Sequence, residues 1–415
     1  MRLVILGINY APEEIGIGRY TTDMAVSLAQ RGHEVRMIAG KPYYPAWHVA
    51  PEHRDGGWRR TVERGVIITR CPHYVPAIPT GVKRIIHLIS FAVSALGPAL
   101  RLARGPRASR PELFLCVAPT LISVPVAWVA AKLAGAKLWI HIQDFEVEAA
   151  FATGLMQDGG PLARFGAWAE SRILALGDRV SSISPQMCVK LLKKGIAPGR
   201  VVEIRNWADA TILPDPEGGA AYRREWGLEE RKVCLYSGNI ANKQGIEILI
   251  EAARLLLHRP DITLVICGDG PNRARLEELA QGLDNVQFHS LQPAERMAEL
   301  LGLAQVHLLP QIPGAADLVL PSKLTNMLAS GRPVVATAEA GTGLYEEVDG
   351  CGLCTPPGDG AALAQAITTL IDDPQRSEAF GVTGRERSVE RWSIRHIIAR
   401  LETECLALVG RGATP

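Results

Sequence analysis

Short aliphatic runs alternate along the chain with amphipathic stretches. Leu3 to Ile8 is one such run, followed by a glycine-containing loop, as a buried parallel strand reads. An amphipathic helix is predicted from about Tyr20 to Gln30, ending at Gly32, where the missing Cβ suits a helix terminus. Further strands are predicted at Glu34–Ala39, Leu113–Val117, Lys137–Ile142, Arg179–Ile183 and Val201–Ile204, with helices near Leu121–Leu133 and Leu162–Leu176. This alternation predicts an α/β unit with a parallel sheet covered by helices on both faces.

Trp207 to Gly227 carries Pro214, Asp215, Pro216, Gly218 and Gly219 without a sustained period, which predicts an interdomain linker. The alternation then restarts. Strands are predicted at Val233–Ser237, Ile262–Cys267, Val286–His289, Val306–Leu309 and Pro333–Ala336, and helices at Ile246–Leu257, Arg273–Ala280, Ala294–Leu303 and Ser322–Ser330. Two α/β domains follow, residues 1–207 and 208–390.

Composition sharpens this only in what it excludes. Hydrophobic residues make up 47% of 415 positions, enough for large cores. Lys and Arg total 45 against 43 Asp and Glu, so the chain has no global field to attract nucleic acid, and any anion site must be local. Eight scattered cysteines, several inside apolar runs, read as reduced thiols of a cytoplasmic protein. Cys351 and Cys354 form a C-x-x-C, but no second pair or paired histidines complete a metal set. The start of the sequence lacks a signal-peptide cleavage pattern, and no stretch reaches the roughly eighteen uninterrupted apolar residues of a membrane span. The nearest approach, Ile85 to Leu100, contains His87, Ser90, Ser94 and Pro98.

Four glycine or helix-start segments can meet an anion. In Asn9 to Tyr20, Gly16 and Gly18 allow close backbone approach where a helix opens, although Thr21 stands where a dinucleotide fingerprint needs its third glycine. In Leu235 to Gly245, a strand leads through Gly238 and Asn239 to Lys243, a cation that can add to a helix dipole and stabilise a diphosphate leaving group. Gly268-Asp269-Gly270-Pro271 ends another strand at the sheet edge where α/β proteins bind ligands. Ser322 and Lys323 open a helix after Pro321, and Asn326 follows one turn later on the same side, placed to bond hydroxyls. Each segment taken singly also reads as an ordinary turn or capped helix with a solvated lysine. His141-Ile142-Gln143-Asp144 ends an apolar strand at a sheet edge, where His141 and Asp144 either serve an active site or cap the next helix. Lys83 to Arg110 joins an apolar segment to basic ends, suited either to an anionic membrane surface or to a core helix.

Taken together, Gly7-Ile8-Asn9-Tyr10, the Gly16 to Tyr20 loop, Pro42-Tyr43-Tyr44-Pro45, His141 to Asp144, Ser181 to Ser184, Tyr236 to Ile240, Gly268 to Pro271 and Pro321 to Asn326 make the chain resemble the retaining GT-B glycosyltransferases of family 4, in particular the colanic acid biosynthesis subgroup. The resemblance implies two facing Rossmann-like domains with a cleft between them, and a helix at about 392–410 that packs back on the first. It implies a retaining, metal-independent hexosyltransferase without a cofactor, which takes a sugar from GDP-fucose or a UDP-sugar. The acceptor expected from it is a polyprenyl-diphosphate-linked saccharide at the inner membrane surface, for a cytoplasmic enzyme peripheral to the inner leaflet. By position, Gly238, Asn239, Lys243, Asp317, Ser322, Lys323 and Asn326 would bind the donor, Lys243 corresponding to the family's diphosphate lysine. Gly16 and Gly18 would form the acceptor-side phosphate loop, while His141 and Asp144 would position the acceptor or stabilise charge developing on the sugar.

The sequence departs from the family in three places. Asn239 stands where many members carry arginine, and Leu318 and Asn326 stand where the family has two glutamates, with Asp317 beside the first. A nucleotide-sugar epimerase and a non-catalytic binding subunit of a polysaccharide assembly remain as alternatives.

Overall fold

Among the described residues every strand pairing but one is parallel. The computed structural model describes residues 1–13, 16–54, 56–145, 160–209, 211–215, 217, 219–240, 244–312 and 321–411. They fall into two units, one of Met1–Arg205 with the chain from Ile398 onward, the other of Asn206–Ile397.

The first unit contains, in chain order, β1 (Arg2–Leu6), α1 (Ile17–Gln30), β2 (Glu34–Gly40), β3 (Arg59–Glu63), β4 (Val66–Cys71), α2 (Gly81–Ala103), β5 (Leu113–Ala118), α3 (Val124–Ala134), β6 (Lys137–Ile142), α4 (Pro161–Leu174), β7 (Arg179–Ser182), α5 (Pro185–Lys193) and β8 (Val201–Glu203). The sheet order is β3-β4-β2-β1-β5-β6-β7-β8. Its central strands are aliphatic on both faces because helices cover both: Val4, Ile5, Leu6, Leu113, Phe114 and Leu115 are fully buried. The exception to the parallel rule is β3, which pairs antiparallel with β4 at the sheet edge. Its exposed Arg59, Arg60 and Glu63 give that edge a charged, protective character. The strand order reverses between β1 and β5, so the loops after those strands leave an opening at the carboxyl edge, where ligands of such sheets bind.

Helix α2 is 23 residues long, with length and composition sufficient to cross a membrane. It packs instead along α3, β2 and β4 through one face, with His87, Phe91, Ala95, Ala99 and Ala103 buried.

The second unit contains α6 (Ala220–Trp226), β9 (Lys232–Ser237), α7 (Glu247–Leu255), β10 (Ile262–Cys267), α8 (Arg273–Leu279), β11 (Val286–His289), α9 (Met297–Gly302), β12 (Val306–Leu309), α10 (Ser322–Ala329), β13 (Val334–Thr337), α11 (Gly343–Val348), β14 (Gly352–Thr355), α12 (Gly360–Asp372) and α13 (Pro374–Trp392). Its six parallel strands are ordered β11-β10-β9-β12-β13-β14, with the reversal between β9 and β12. The segment 207–227, expected as a linker, contains α6, which seats Tyr222 fully buried in the core with Leu228, Leu300 and Leu303. Trp207 is buried as well, and the Ala208 amide donates to the Trp392 carbonyl at 3.0 Å. The final helix, α14 (Ile394–Leu408), joins the first unit by its later turns. There Glu402 accepts from Arg31 at 2.8 Å and pairs with His33 at 2.7 Å, and Glu404 pairs with Arg179 at 3.2 Å.

Candidate active site

At the carboxyl end of β1 the chain turns through Asn9 to Glu13 before Gly16 and α1. Glu13 is buried, and its carboxylate accepts from the backbone amides of Tyr43 and Tyr44, each at 3.0 Å, and from Asn9 Nδ2 at 2.9 Å. Burial raises its pKa against the opposing pull of those hydrogen bonds. Gly18 is needed beside it, because a Cβ there would lie 2.8 Å from the Glu13 Cβ and 3.0 Å from its carbonyl oxygen. Gly16 adopts φ 61°, a left-handed conformation open to glycine, and a Cβ on it would meet the exposed Tyr44 ring at 3.9 Å. The two glycines predicted as a phosphate loop are thus fastened to the loop after β2 by a carboxylate that sequence reasoning missed. Little in the local sequence marks Glu13, since two of its three partners lie 30 and 31 residues away.

His141, next to last in β6, is fully buried. Its Nδ1 meets Ser181 Oγ at 2.8 Å on β7, and its Nε2 lies 3.0 Å from Gln143 Nε2. With Gln143 donating, Nε2 is the acceptor and Nδ1 the donor, which fixes a neutral tautomer. Burial pushes its pKa down to about 4. The imidazole expected to face an acceptor is therefore held inside the strand layer with both nitrogens engaged. Asp144, two residues past the strand, is exposed. The structure brings His141 and Asp144 to one strand end but turns only Asp144 to solvent.

In the second unit, three predicted donor residues meet at the carboxyl end of β9. Lys323 Nζ donates to Tyr236 Oη at 2.9 Å and lies 4.2 Å over the Tyr236 ring. A Cβ on Gly238 would come within 2.9 Å of the same Nζ. Tyr236 Oη donates in turn to the Asn239 carbonyl at 2.7 Å. Burial lowers the Lys323 pKa to about 8, and among the described residues no carboxylate pairs with it. A desolvated ammonium is costly, and an anion beside it would offset that cost. Tyr236 is the second residue that sequence reasoning missed, because its link to Lys323 spans 87 positions.

The glycine turn after β10 closes against this site. Gly238 donates to the Cys267 carbonyl and Ile240 to the Asp269 carbonyl, both at 2.9 Å. A Cβ on Gly268 would fall 1.9 Å from the Gly238 oxygen, and one on Gly270 2.3 Å from the Ile240 oxygen. The loops after β9 and β12 also touch, since a Cβ on Gly245 would meet Ile312 Cγ2 at 2.9 Å. Ser322 is exposed at the start of α10. Asn326 lies partly buried farther along, and its Oδ1 accepts from the Asp209 amide at 2.9 Å, so its side-chain carbonyl already serves the chain. Lys243 and Asp317 lie outside the described residues. Among those that are described, no cluster of three His, Cys, Asp or Glu is placed to hold a metal ion. Cys351 and Cys354 are free thiols whose pKa values burial raises, that of Cys354 to about 12.

Two α/β units of parallel sheet, each with its loops gathered at a strand-order reversal, define a fold of the GT-B class. Solved structures of that architecture superpose along nearly the whole chain. Sucrose-phosphate synthase from Thermosynechococcus elongatus matches with a TM-score of 0.72 at 20% identity, covering 99% of both chains. Anabaena HepE, solved with UDP and glucose, matches with 0.68 at 16% identity, covering 98% of this chain and 99% of that one. The description "Glycosyl transferase 4-like domain" fits residues 16–207 and "Glycosyl transferases group 1" fits 220–387. A protein named as the colanic acid biosynthesis glycosyl transferase WcaI of Escherichia coli (strain K12) is 42% identical over 388 residues, 91% of this chain and 94% of that one. The GDP-mannose-dependent alpha-(1-6)-phosphatidylinositol monomannoside mannosyltransferase of Mycolicibacterium smegmatis is 26% identical over 96% of this chain and 97% of its own length. The chain belongs to the group 1 glycosyl transferases of family 4, in the colanic acid biosynthesis subgroup, and is a glycosyltransferase.

Proposed function

We propose that the protein moves a sugar from a nucleoside diphosphate sugar to a polyprenyl-diphosphate-linked saccharide, with anomeric retention, in the biosynthesis of an exopolysaccharide or other surface glycan. The observation that carries the donor half is the half-buried Lys323 ammonium beside Gly238, which lacks a carboxylate partner among the described residues and is compensated by a diphosphate. Lys243, Lys323 and the amides opening α10 at Ser322 stabilise the departing diphosphate, while Asn239, Asp317 and Asn326 address the donor's ribose and sugar. The anomeric carbon loses its bond to the β-phosphate oxygen and gains one to the acceptor oxygen. The acceptor proton passes to the departing phosphate oxygen on the same face, so neither a protein base nor a metal is required.

In the first unit, Gly16 and Gly18 give the acceptor's phosphates backbone amides, Asp144 orients its hydroxyl, and His141 holds the strand end that carries Asp144. The donor is GDP-fucose or a UDP-sugar, and the enzyme works from the cytoplasm at the inner leaflet. The names of the relatives support this reading: one acts in colanic acid biosynthesis, and another uses a GDP-sugar on a phosphatidylinositol mannoside. The test is Lys243→Ala, which should cut transfer on the order of a hundredfold or more with an unchanged melting curve. Undiminished turnover would remove the leaving-group assignment. Thermal shifts with GDP-, UDP-, dTDP- and ADP-sugars then select the donor.

A further inference from the structure

The face of α2 turned away from the first unit is as apolar as the face turned into it. Val82, Ile85, Ile86, Ile89, Val93 and Leu96 follow the spacing of one helical stripe and are all exposed, Val82 to 70% and Val93 to 68%. Monomeric proteins leave single apolar side chains in water, not a six-residue row. The stripe also has a charged frame. Between Gly81 and Arg110 there is no Asp or Glu, while Lys83 stands at one end of the helix and Arg101 and Arg104 at the other; Arg84 is turned to the packed side, over the Trp47 ring. Lys83, Arg101 and Arg104 are exposed, and the first two are about 27 Å apart along the axis.

A second element extends this surface. Trp58, just ahead of β3, donates from Nε1 to the Ser94 carbonyl of α2 at 2.9 Å and is still 58% exposed. An indole with its polar atom engaged and its ring in water suits the boundary between headgroups and acyl chains. Arg59 and Arg60 follow it and are exposed, with Glu63 the acid on that strand.

The helix cannot pass through a membrane while the unit is folded. Its opposite stripe is buried, and His87 on that stripe is bonded through Nδ1 to the Tyr74 carbonyl at 2.5 Å. One face is committed to protein and one is free, which is the geometry of a helix lying in the interfacial plane. We propose that the exposed stripe of α2, together with Trp58, docks the first unit flat on an anionic phospholipid bilayer, the apolar side chains entering the headgroup boundary and the flanking arginines and lysine meeting lipid phosphates. This deepens the functional reading, resting on its placement of the enzyme at a membrane, but requires neither donor nor acceptor. A nucleic acid would match the basic ends but leave the apolar row in water.

Sedimentation of the full chain with vesicles of phosphatidylcholine, alone or mixed with phosphatidylglycerol, tests the surface in the absence of any acceptor lipid. Binding is expected to the anionic vesicles, weakening with salt. The variant Ile85→Ser/Ile89→Ser/Val93→Ser should bind them about tenfold more weakly or worse. The same variant should keep its melting curve and its transfer to a water-soluble acceptor analogue. No binding to anionic vesicles, or undiminished binding by a folded variant, overturns the docking surface. So does a dimer that this variant dissociates while vesicles go unbound. Vesicle binding without transfer to any acceptor would uphold the surface and remove the proposed reaction instead.

Discussion

Lys323 sits over the ring of Tyr236, 87 residues away in the chain, and gives that phenol a hydrogen bond while the phenol gives one to the Asn239 carbonyl. The three residues form a short relay from α10 to the glycine turn, with a positive charge at its head.

Lys323→Met removes that charge and keeps the packing. Donor affinity is expected to fall by roughly ten- to a hundredfold, the worth of a charge-assisted hydrogen bond of about 1.5–3 kcal/mol. The donor-free protein should melt at the same or a higher temperature, since a desolvated ammonium with no carboxylate partner among the described residues costs stability. Calorimetric titration and a thermal melt give both numbers; a variant that binds donor as tightly as the parent would free Lys323 from the site.

The same lysine sets a pH dependence. Burial lowers its pKa from the usual lysine value to about 8, so the folded, donor-free state releases its proton before the unfolded chain does. Stability from this group therefore increases as pH rises from about 8 toward the normal lysine range, whereas donor affinity decreases over the same interval because the anion loses its cation. Titrations on either side of pH 8 should show the decrease in the parent and not in Lys323→Met. An identical slope in both proteins would point to some other group.

Glu13→Ala leaves the Tyr43 and Tyr44 amides without their acceptor. Each unpaired buried amide costs about 1–3 kcal/mol, so a drop in stability of that order or more is expected. Glu13→Gln keeps an oxygen for the two amides and sheds a charge whose burial raises its pKa. For a carboxyl raised in the folded state, stability is greatest below the unfolded pKa and declines as pH climbs toward the folded one; Gln should flatten that decline. Urea denaturation of the three proteins at acidic and neutral pH would settle it, and equal stability of Ala and parent would mean that the two loops need no fastening.

Acid should destabilise both units through their buried histidines. His141 and His73 are held neutral with pKa values lowered to about 4, and His307, in β12, to about 3. Each is depressed by burial below the free imidazole value, so the unfolded chain takes up protons that the folded one refuses. Stability contributed by these groups is complete above about pH 6.5 and is lost as pH falls toward 4, by roughly 3 kcal/mol for His141. Unfolding midpoints that stay level between pH 7 and pH 4.5 would contradict this.

Much of the fold is legible in the sequence because parallel strands buried on both faces are continuous aliphatic runs. Lys137–Ile142, Ile262–Cys267, Val286–His289 and Val306–Leu309 are observed at their expected limits. What escaped follows from the same physics. Strand β3 reads Arg-Arg-Thr-Val-Glu and lies on an edge with little apolar face to bury, so its pattern does not distinguish it from a loop. Helix α6 is short, lies among prolines and glycines, and owes its place to Tyr222 in a distant core.

The candidate site divides in the same way. Glycines announce themselves: Gly18, Gly238, Gly268 and Gly270 stand where close approach demands them, and Gly16 where a positive φ does. Partnerships do not: whether His141 faces outward or is locked by Ser181, 40 residues on, depends on the neighbouring strand. Asn326 shows the limit most plainly, because its bond to Asp209 crosses 117 residues.

The two glycine turns after β9 and β10 carry a consequence for redesign. Because Gly238 and Gly268 press backbone on backbone, and Ile240 is laced to Asp269 and Asn272, neither turn has a shape of its own. Grafting a single loop from a relative would set a foreign contour against a native one, so a chimera must exchange residues 237–240 and 267–272 as one cassette.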